Sequence, residues 1–434
     1  MQGGVSTPSQ NFSRTILPNG ARIVTEEIPG SRSIALGVWI ATGSRSEEPA
    51  EGGSAHFIEH LLFKGTPSRS ASALAREIDS VGGHLDAFTG REYTCFYLNV
   101  LAEQVERGME ILADIFLHSS FPPHEVERER NVILEEIRMS EDSPEDKVYE
   151  LLVQNIWPRS SLGRPILGTA STIASLSRSK LLAFRRRYYR SSNLVFAAAG
   201  GMDHDSLGTL WRRHFPMARG ALKPPLRRPP RFLPGFYGKA KDLEQTHLCF
   251  GTRGLGQASR DRYALYVLNN ILGGTMSSRL FQEIREKRGL AYSVFSTHSS
   301  YREAGLFMVS VGTSPVLAPR VVRLVEGQLK KLCARPPSRA EVKRARDQIK
   351  GSLILSLESS GSRMMSLAKQ EIYFGRHFGI DDTIARVERV EAADVHRVAQ
   401  KIFQTESSAW AAVGPEESLD KVSRVTGKGS WRSS

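Results

Sequence analysis

REIDSVGGHLDAFT at residues 76–89 and QEIREKRGLAYSVFS at residues 282–296 are the two stretches of this chain that decide its fold. Each runs from the charged end of a helical pattern through glycine into an alternating strand. The match extends upstream, where HLLFKGT (60–66) faces NNILGGT (269–275). Around these, the first half reads as strand SIALGVWI (33–40), helix AHFIEHLLFKGT (55–66), helix ALAREIDSVGG (73–83), strand HLDAFTG (84–90), strand TCFYLNV (94–100) and long helix AEQVERGMEILADIF (102–116). The second half repeats that order as THLCFGT (246–252), RYALYVLNNILGGT (262–275), RLFQEIREKRG (279–289), AYSVFST (291–297), GLFMVSVGT (305–313) and LAPRVVRLVEGQLKKL (317–332). A duplicated domain is the economical reading. It predicts an α+β fold of two homologous domains, each an antiparallel-rich sheet with helices packed on it. Between the halves lies GALKPPLRRPPRFLPG (220–235), whose prolines exclude helix interior and central strand. The expected organisation is a first domain over 14–220, a proline-rich linker over 221–235 and a second domain over 236–420.

The 434 residues are 40% hydrophobic and 24% charged, which suits a globular chain of two domains. No apolar run reaches the roughly 18 residues that cross a bilayer. The first residues, MQGGVSTPSQNFSRTILPNG, hold no apolar core of a secretory signal, so the expectation is a cytoplasmic protein with no membrane partner. The net charge of +13 includes two arginine groups, Arg185-Arg186-Arg187 and Arg227-Arg228. These read as solvated surface charge, and no nucleic-acid-binding module accompanies them. Cys95, Cys249 and Cys333 are odd in number and widely spaced, which argues against a disulfide framework or a cysteine zinc site.

The chemistry concentrates in His56-Phe57-Ile58-Glu59-His60. Ser54 is the expected N-cap of this helix and Gly65 its C-terminal cap. At helical spacing Ile58, Leu61 and Leu62 share one face, while His56, Glu59, His60 and Phe63 share the opposite one. Two imidazoles at i and i+4 can hold one tetrahedral zinc, and a carboxylate between them can take a proton from a water that the metal activates. H-x-x-E-H is the inverted form of the H-E-x-x-H zinc signature. It leaves room for a third protein ligand. Residue type alone does not say which of the chain's carboxylates that is. The second half has Tyr266, Asn269 and Asn270 at the corresponding places and no metal set.

This pattern resembles the pitrilysin–insulinase–mitochondrial processing peptidase family, and the resemblance runs from about Arg14 to about Pro415. In that family the third zinc ligand is a glutamate about 76 residues past the second histidine; here 136 − 60 = 76, and position 136, in the segment ERNVILEEI (129–137), is glutamate, which the family's spacing favours over the competing neighbour Glu135. The resemblance therefore implies one Zn2+ per chain on His56, His60 and Glu136, with Glu59 as general base. Glu129 matches a second acidic residue that the family keeps beside the site.

The resemblance also implies a substrate side. The strand bearing Asp86, Ala87 and Phe88 takes the peptide as an added strand, a mode that reads backbone more than side chains. The family most often has asparagine where Asp86 stands, and His84 nearby is not expected to be a ligand. Arg285 and Tyr292, seven positions apart, match a pair that contacts substrate near the scissile bond. Arg285 suits a peptide carbonyl and Tyr292 a developing oxyanion. Without the resemblance they would read as a surface arginine and a core-edge tyrosine. The implied function is a zinc-dependent endopeptidase acting on short or unfolded peptides. The alternative is a non-catalytic or partner-dependent subunit of a processing-peptidase-like complex. The implied assembly is a homodimer, with a heterodimer containing a degenerate homologue as the alternative.

Overall fold

The structure, a computed structural model, describes residues 11–220, 228–404, 407–429 and 432–433. The first half forms β1 (Phe12–Ile16), β2 (Arg22–Glu27), β3 (Ser33–Ile40), α1 (Ser54–Leu62), α2 (Ala71–Ser80), β4 (His84–Thr89), β5 (Thr94–Leu101), α3 (Val105–His118), α4 (Pro123–Asp142), α5 (Pro144–Ile156), α6 (Ala170–Ser175), α7 (Arg178–Tyr188), β6 (Leu194–Gly200) and α8 (His204–His214). The second forms β7 (Gly235–Ala240), β8 (Thr246–Arg253), α9 (Arg262–Leu272), a π-helical turn (Phe281–Glu286), β9 (Ala291–Ser300), β10 (Gly305–Thr313), α10 (Ala318–Ala334), α11 (Arg339–Ser356), α12 (Ser360–Phe374), α13 (Ile380–Glu388), α14 (Ala392–Ile402), β11 (Ser408–Gly414), α15 (Glu416–Thr426) and β12 (Arg432–Ser433).

Two six-stranded sheets result, ordered β1-β2-β6-β3-β5-β4 and β12-β7-β11-β8-β10-β9. Strands β2, β6, β3, β5 and β4 of the first sheet correspond to β7, β11, β8, β10 and β9 of the second. The parallel neighbour pairs also correspond, β2 with β6 and β7 with β11, while β3 and β8 run antiparallel to both their neighbours. The duplication read from sequence is thus present in the topology.

Each sheet belongs to a compact unit, and neither unit is continuous in sequence. Residues 11–137, 164–220 and 354–379 form the first, and 138–163, 228–353, 380–404, 407–429 and 432–433 the second. The sequence boundaries put α5 in the first domain and α12 in the second. The packing assigns each to the other unit. The reason lies in the two fully buried strands, LVFAAAG (β6) and SAWAAVG (β11). On one side of β6, Leu194, Phe196 and Ala198 join the core that includes α1 and α3. On the other, Val195, Ala197 and Ala199 lie with Ala35, Trp39 and Cys95 against Met364, Leu367, Ala368 and Ile372 of α12. In the second unit Ala409, Ala411, Val413 and Cys249 receive Val148, Leu151, Leu152 and Ile156 of α5.

Small side chains let these helices sit close to the sheet. A Cβ on Gly37 would lie 2.6 Å from Met364 Sδ, and one on Gly251 2.7 Å from Leu152 Cδ2. Each helix thereby keeps one face of a sheet from water, which is the main source of its stabilisation. Residues 221–227 of the proline-rich stretch lie outside the described residues. Residues 228–234 have no regular structure, and Phe232 among them is buried with α5. The three cysteines are free, and among the described residues no helix is long and apolar enough to cross a membrane.

Candidate metal centre

The helix that carries His56, Glu59 and His60 begins differently from the expectation. Its N-cap is Gly53, at φ +90°, and Ser54 is its first helical residue, with a buried hydroxyl that makes no hydrogen bond. Glu47 replaces the expected serine cap: its carboxylate accepts the N–H of Gly53 (2.9 Å) and of Ala55 (2.8 Å). Glycine is needed at position 53, because positive φ disfavours other residues and a Cβ there would lie 2.7 Å from the Leu167 carbonyl oxygen. At the other end Phe63 is the C-cap, and Gly65 takes φ +114° two residues later. Phe57, Ile58, Leu61 and Leu62 are buried, which turns His56, Glu59 and His60 away from the core.

Helix α4 supplies the facing carboxylates. His56 Nε2 lies 3.6 Å from one Glu136 oxygen and His60 Nε2 lies 3.6 Å from the other. The three donor atoms are within 4.8 Å of one another, and among the described residues this is the one group of its kind. Glu135 is exposed and stands outside it. Donors about 2 Å from a tetrahedral zinc are separated by about 3.3 Å, so the spacing suits one small cation. The imidazole–imidazole–carboxylate set suits zinc chemically.

The rest of the pocket orients these groups. Glu129, buried on α4, accepts from His60 Nδ1 at 3.0 Å. A carboxylate can only accept, so the proton sits on Nδ1 and the Nε2 lone pair faces Glu136. Burial opposes the charge of Glu129, but hydrogen bonds from His60 and Lys64 hold its carboxyl below the usual range. Burial also opposes charge on His60; Glu129, Glu136 and Glu59 outweigh it and raise the ring's pKa. Burial, with the neighbouring His60, lowers that of His56 to about 3. Glu59 accepts a hydrogen bond from Thr89 Oγ1, and burial raises the pKa of its carboxyl.

Strand β4 borders the same cleft. It is the edge of its sheet and pairs with β5 alone. Asp86 accepts from the Ala87 N–H (2.7 Å) and the Tyr97 hydroxyl (3.0 Å), and with Ala87 it lines the cleft beside Glu59 and His60. Phe88 packs on Trp39 and Tyr93. His84 is not in the donor group.

Arg285 and Tyr292 lie in the second unit, with the Arg285 guanidinium 4.7 Å from the centre of the Tyr292 ring and 4.8 Å from that of Phe281. Tyr292 is 81% exposed at the start of β9. On α9, Asn269 accepts from the Ser296 hydroxyl and Tyr266 stacks on His298. The sequence reading missed Thr89, Lys64 and Glu47. Lys64 had a signal, being one turn past His60 on the same face. The other two meet α1 only through tertiary packing.

A repeated α/β unit with the inverted zinc signature on one copy defines a metallopeptidase-type fold. The chain belongs to the insulinase family, peptidase family M16. Residues 22–170 match that family's model and residues 175–349 match the model described as the peptidase M16 inactive domain. The chain is 40% identical over 408 residues to the "uncharacterized zinc protease YmxG" of Bacillus subtilis strain 168, covering 94% of this chain and 99% of that protein. It is 40% identical over 411 residues to an "uncharacterized zinc protease" of Streptomyces coelicolor, covering 93% and 89%. Among solved structures, a protease from Helicobacter pylori superposes with a TM-score of 0.86 at 22% identity, covering 93% of this chain and 99% of that one. A peptidase M16 inactive domain from Pseudomonas fluorescens superposes at 0.88 and 20% identity, covering 93% and 98%.

Proposed function

We propose that this chain is a zinc-dependent endopeptidase that hydrolyses short or unfolded peptides. The observation that carries the reading is the convergence of His56 Nε2, His60 Nε2 and the Glu136 carboxylate beside the half-buried Glu59 carboxylate. His56, His60 and Glu136 would hold the metal. When bound, zinc supplies Lewis acidity toward a peptide carbonyl and makes water more acidic. Glu59 accepts a proton from the attacking water and returns it to the leaving amine. Thr89 holds one Glu59 oxygen, which leaves the other for that transfer. The open edge of β4 receives the peptide as an added strand, with Asp86, Ala87 and Phe88 alongside it.

The family's longer members supply an Arg/Tyr pair from a different domain than the zinc. By that resemblance the proposal includes a homodimer in which Arg285 and Tyr292 of one copy serve the metal site of its partner. The test is a quenched-peptide assay with metal analysis on wild type and Glu59→Gln. General-base loss removes about 10²–10⁴-fold in rate. Wild-type turnover by Glu59→Gln, at equal zinc content, would sink the mechanism.

A further inference from the structure

Lys64 stands one helical turn beyond His60, where the chain leaves α1. Its backbone N–H still bonds to the Leu61 carbonyl, and its Nζ lies 2.8 Å from Glu129 Oε1. The other oxygen of the same carboxylate, Oε2, holds His60 Nδ1 at 3.0 Å. Glu129 is only 2% exposed, so water does little to satisfy it. A buried carboxylate held at one oxygen is free to turn about its side-chain bonds; held at both, its plane is set. That plane determines the direction of the His60 ring, and hence whether Nε2 faces Glu136. Outer partners of this kind are known to govern metal affinity through the ligand they orient.

We propose that Lys64 is a positioning residue for the metal: by anchoring Glu129 Oε1 it fixes the carboxylate that aims His60. The inference rests on the zinc reading above. It assigns Lys64 a role through Glu129 and not through the peptide, although Lys64 also borders the cleft.

The experiment measures the Zn2+ dissociation constant of the full chain by competition with a chromophoric chelator. Wild type, Lys64→Met, Lys64→Arg, Glu129→Gln and the Lys64→Met/Glu129→Gln double variant are compared, with thermal unfolding of each metal-free form as a folding control. Lys64→Met is expected to weaken zinc binding about 10-fold. Lys64→Arg, which keeps a cationic donor, restores most of that loss. In the Glu129→Gln background Lys64→Met adds almost nothing, because its route to the metal is already cut.

Unchanged zinc affinity in Lys64→Met overturns the inference, as do losses that simply add in the double variant. A raised KM at unchanged zinc affinity also overturns it, by showing that Lys64 meets the peptide instead. If Lys64→Met fails to unfold cooperatively, Lys64→Leu, which likewise has no donor, replaces it on the same criteria. Failure of the wild type to bind zinc removes the peptidase reading itself, and is thereby distinct from a failure of Lys64 alone.

Discussion

Glu47→Gln tests how the metal-bearing helix is held at its start. The Glu47 carboxyl is 3% exposed and receives the Gly53 and Ala55 N–H groups. Burial pushes its pKa up to about 8, against those two hydrogen bonds and the Arg164 guanidinium, which favour the charge. In the unfolded chain the group titrates near 4.3. Between these values the folded state keeps a proton that the unfolded chain releases. The contribution is therefore fully present at the acidic end and is lost as pH rises through about 8. Integrating the two titrations gives a loss of about 2 kcal/mol between pH 6 and pH 8. Glutamine removes the titration and adds a cost of about 1–3 kcal/mol that does not vary with pH, because its amide nitrogen cannot accept the second N–H. Urea unfolding of both proteins at pH 6 and pH 8 gives the difference directly. The wild-type advantage should shrink by about 2 kcal/mol over that interval. An advantage that stays level, or grows with pH, refutes the reasoning; it would mean that the two N–H groups keep Glu47 ionised in spite of its burial.

Gly53→Ala places a side chain at φ +90° and against the Leu167 carbonyl, so stability should fall by at least about 1–3 kcal/mol in the same urea assay. Leu152→Ala empties the contact between α5 and the sheet of the second unit and should cost about 2–5 kcal/mol; a smaller cost would mean that α5 is not part of that core. Inactive Glu59→Gln mixed with inactive Tyr292→Phe should regain peptide cleavage if Tyr292 acts on the partner's site. No recovery despite proven subunit exchange removes the dimeric part of the proposal.

Much of this molecule was legible in the sequence because its signals are local. The strand Ser33–Ile40 has the predicted bounds, and β4, β5, β8, β9 and β10 lie within a few residues of theirs. The histidine pair could be placed from helical spacing alone. Choosing Glu136 over Glu135 needed either the family spacing or the geometry, since both lie in one acidic run and only the helix phase separates them. The exchange of α5 and α12 was not legible. An amphipathic helix shows that it has an apolar face, but not which sheet the face will meet. The only hint was the run of small residues in β6 and β11, whose meaning depends on the partner. Arg185 looks like surface charge in the sequence. It is half-buried and donates to the carbonyls of Phe116, Leu117 and Ser119 at the end of α3, a capping role set by packing.

The two halves show how a duplicated backbone comes to divide its chemistry. In the first unit the polar side chains of α1 have their partners on α4, and the pocket stays open toward β4. In the second unit two of the three corresponding residues, Tyr266 and Asn269, are committed internally. Asn269 is bonded to Ser296, and Tyr266 lies flat on His298. The helix that follows α10, as α4 follows α3, is α11, and its Glu341 is committed to Arg279 through two hydrogen bonds of 2.7 and 3.0 Å. Burial opposes the charge of Glu341, but Arg279 and Ser338 outweigh it and hold its carboxyl down to about 2. A carboxylate bound so firmly to a guanidinium is a poor candidate for a metal. It is well suited to anchor Arg279, at the head of the segment that leads to Arg285 and Tyr292. Restoring a metal site in the second unit would therefore require more than three ligand substitutions. It would also require breaking the Asn269–Ser296 hydrogen bond and the Tyr266–His298 stack.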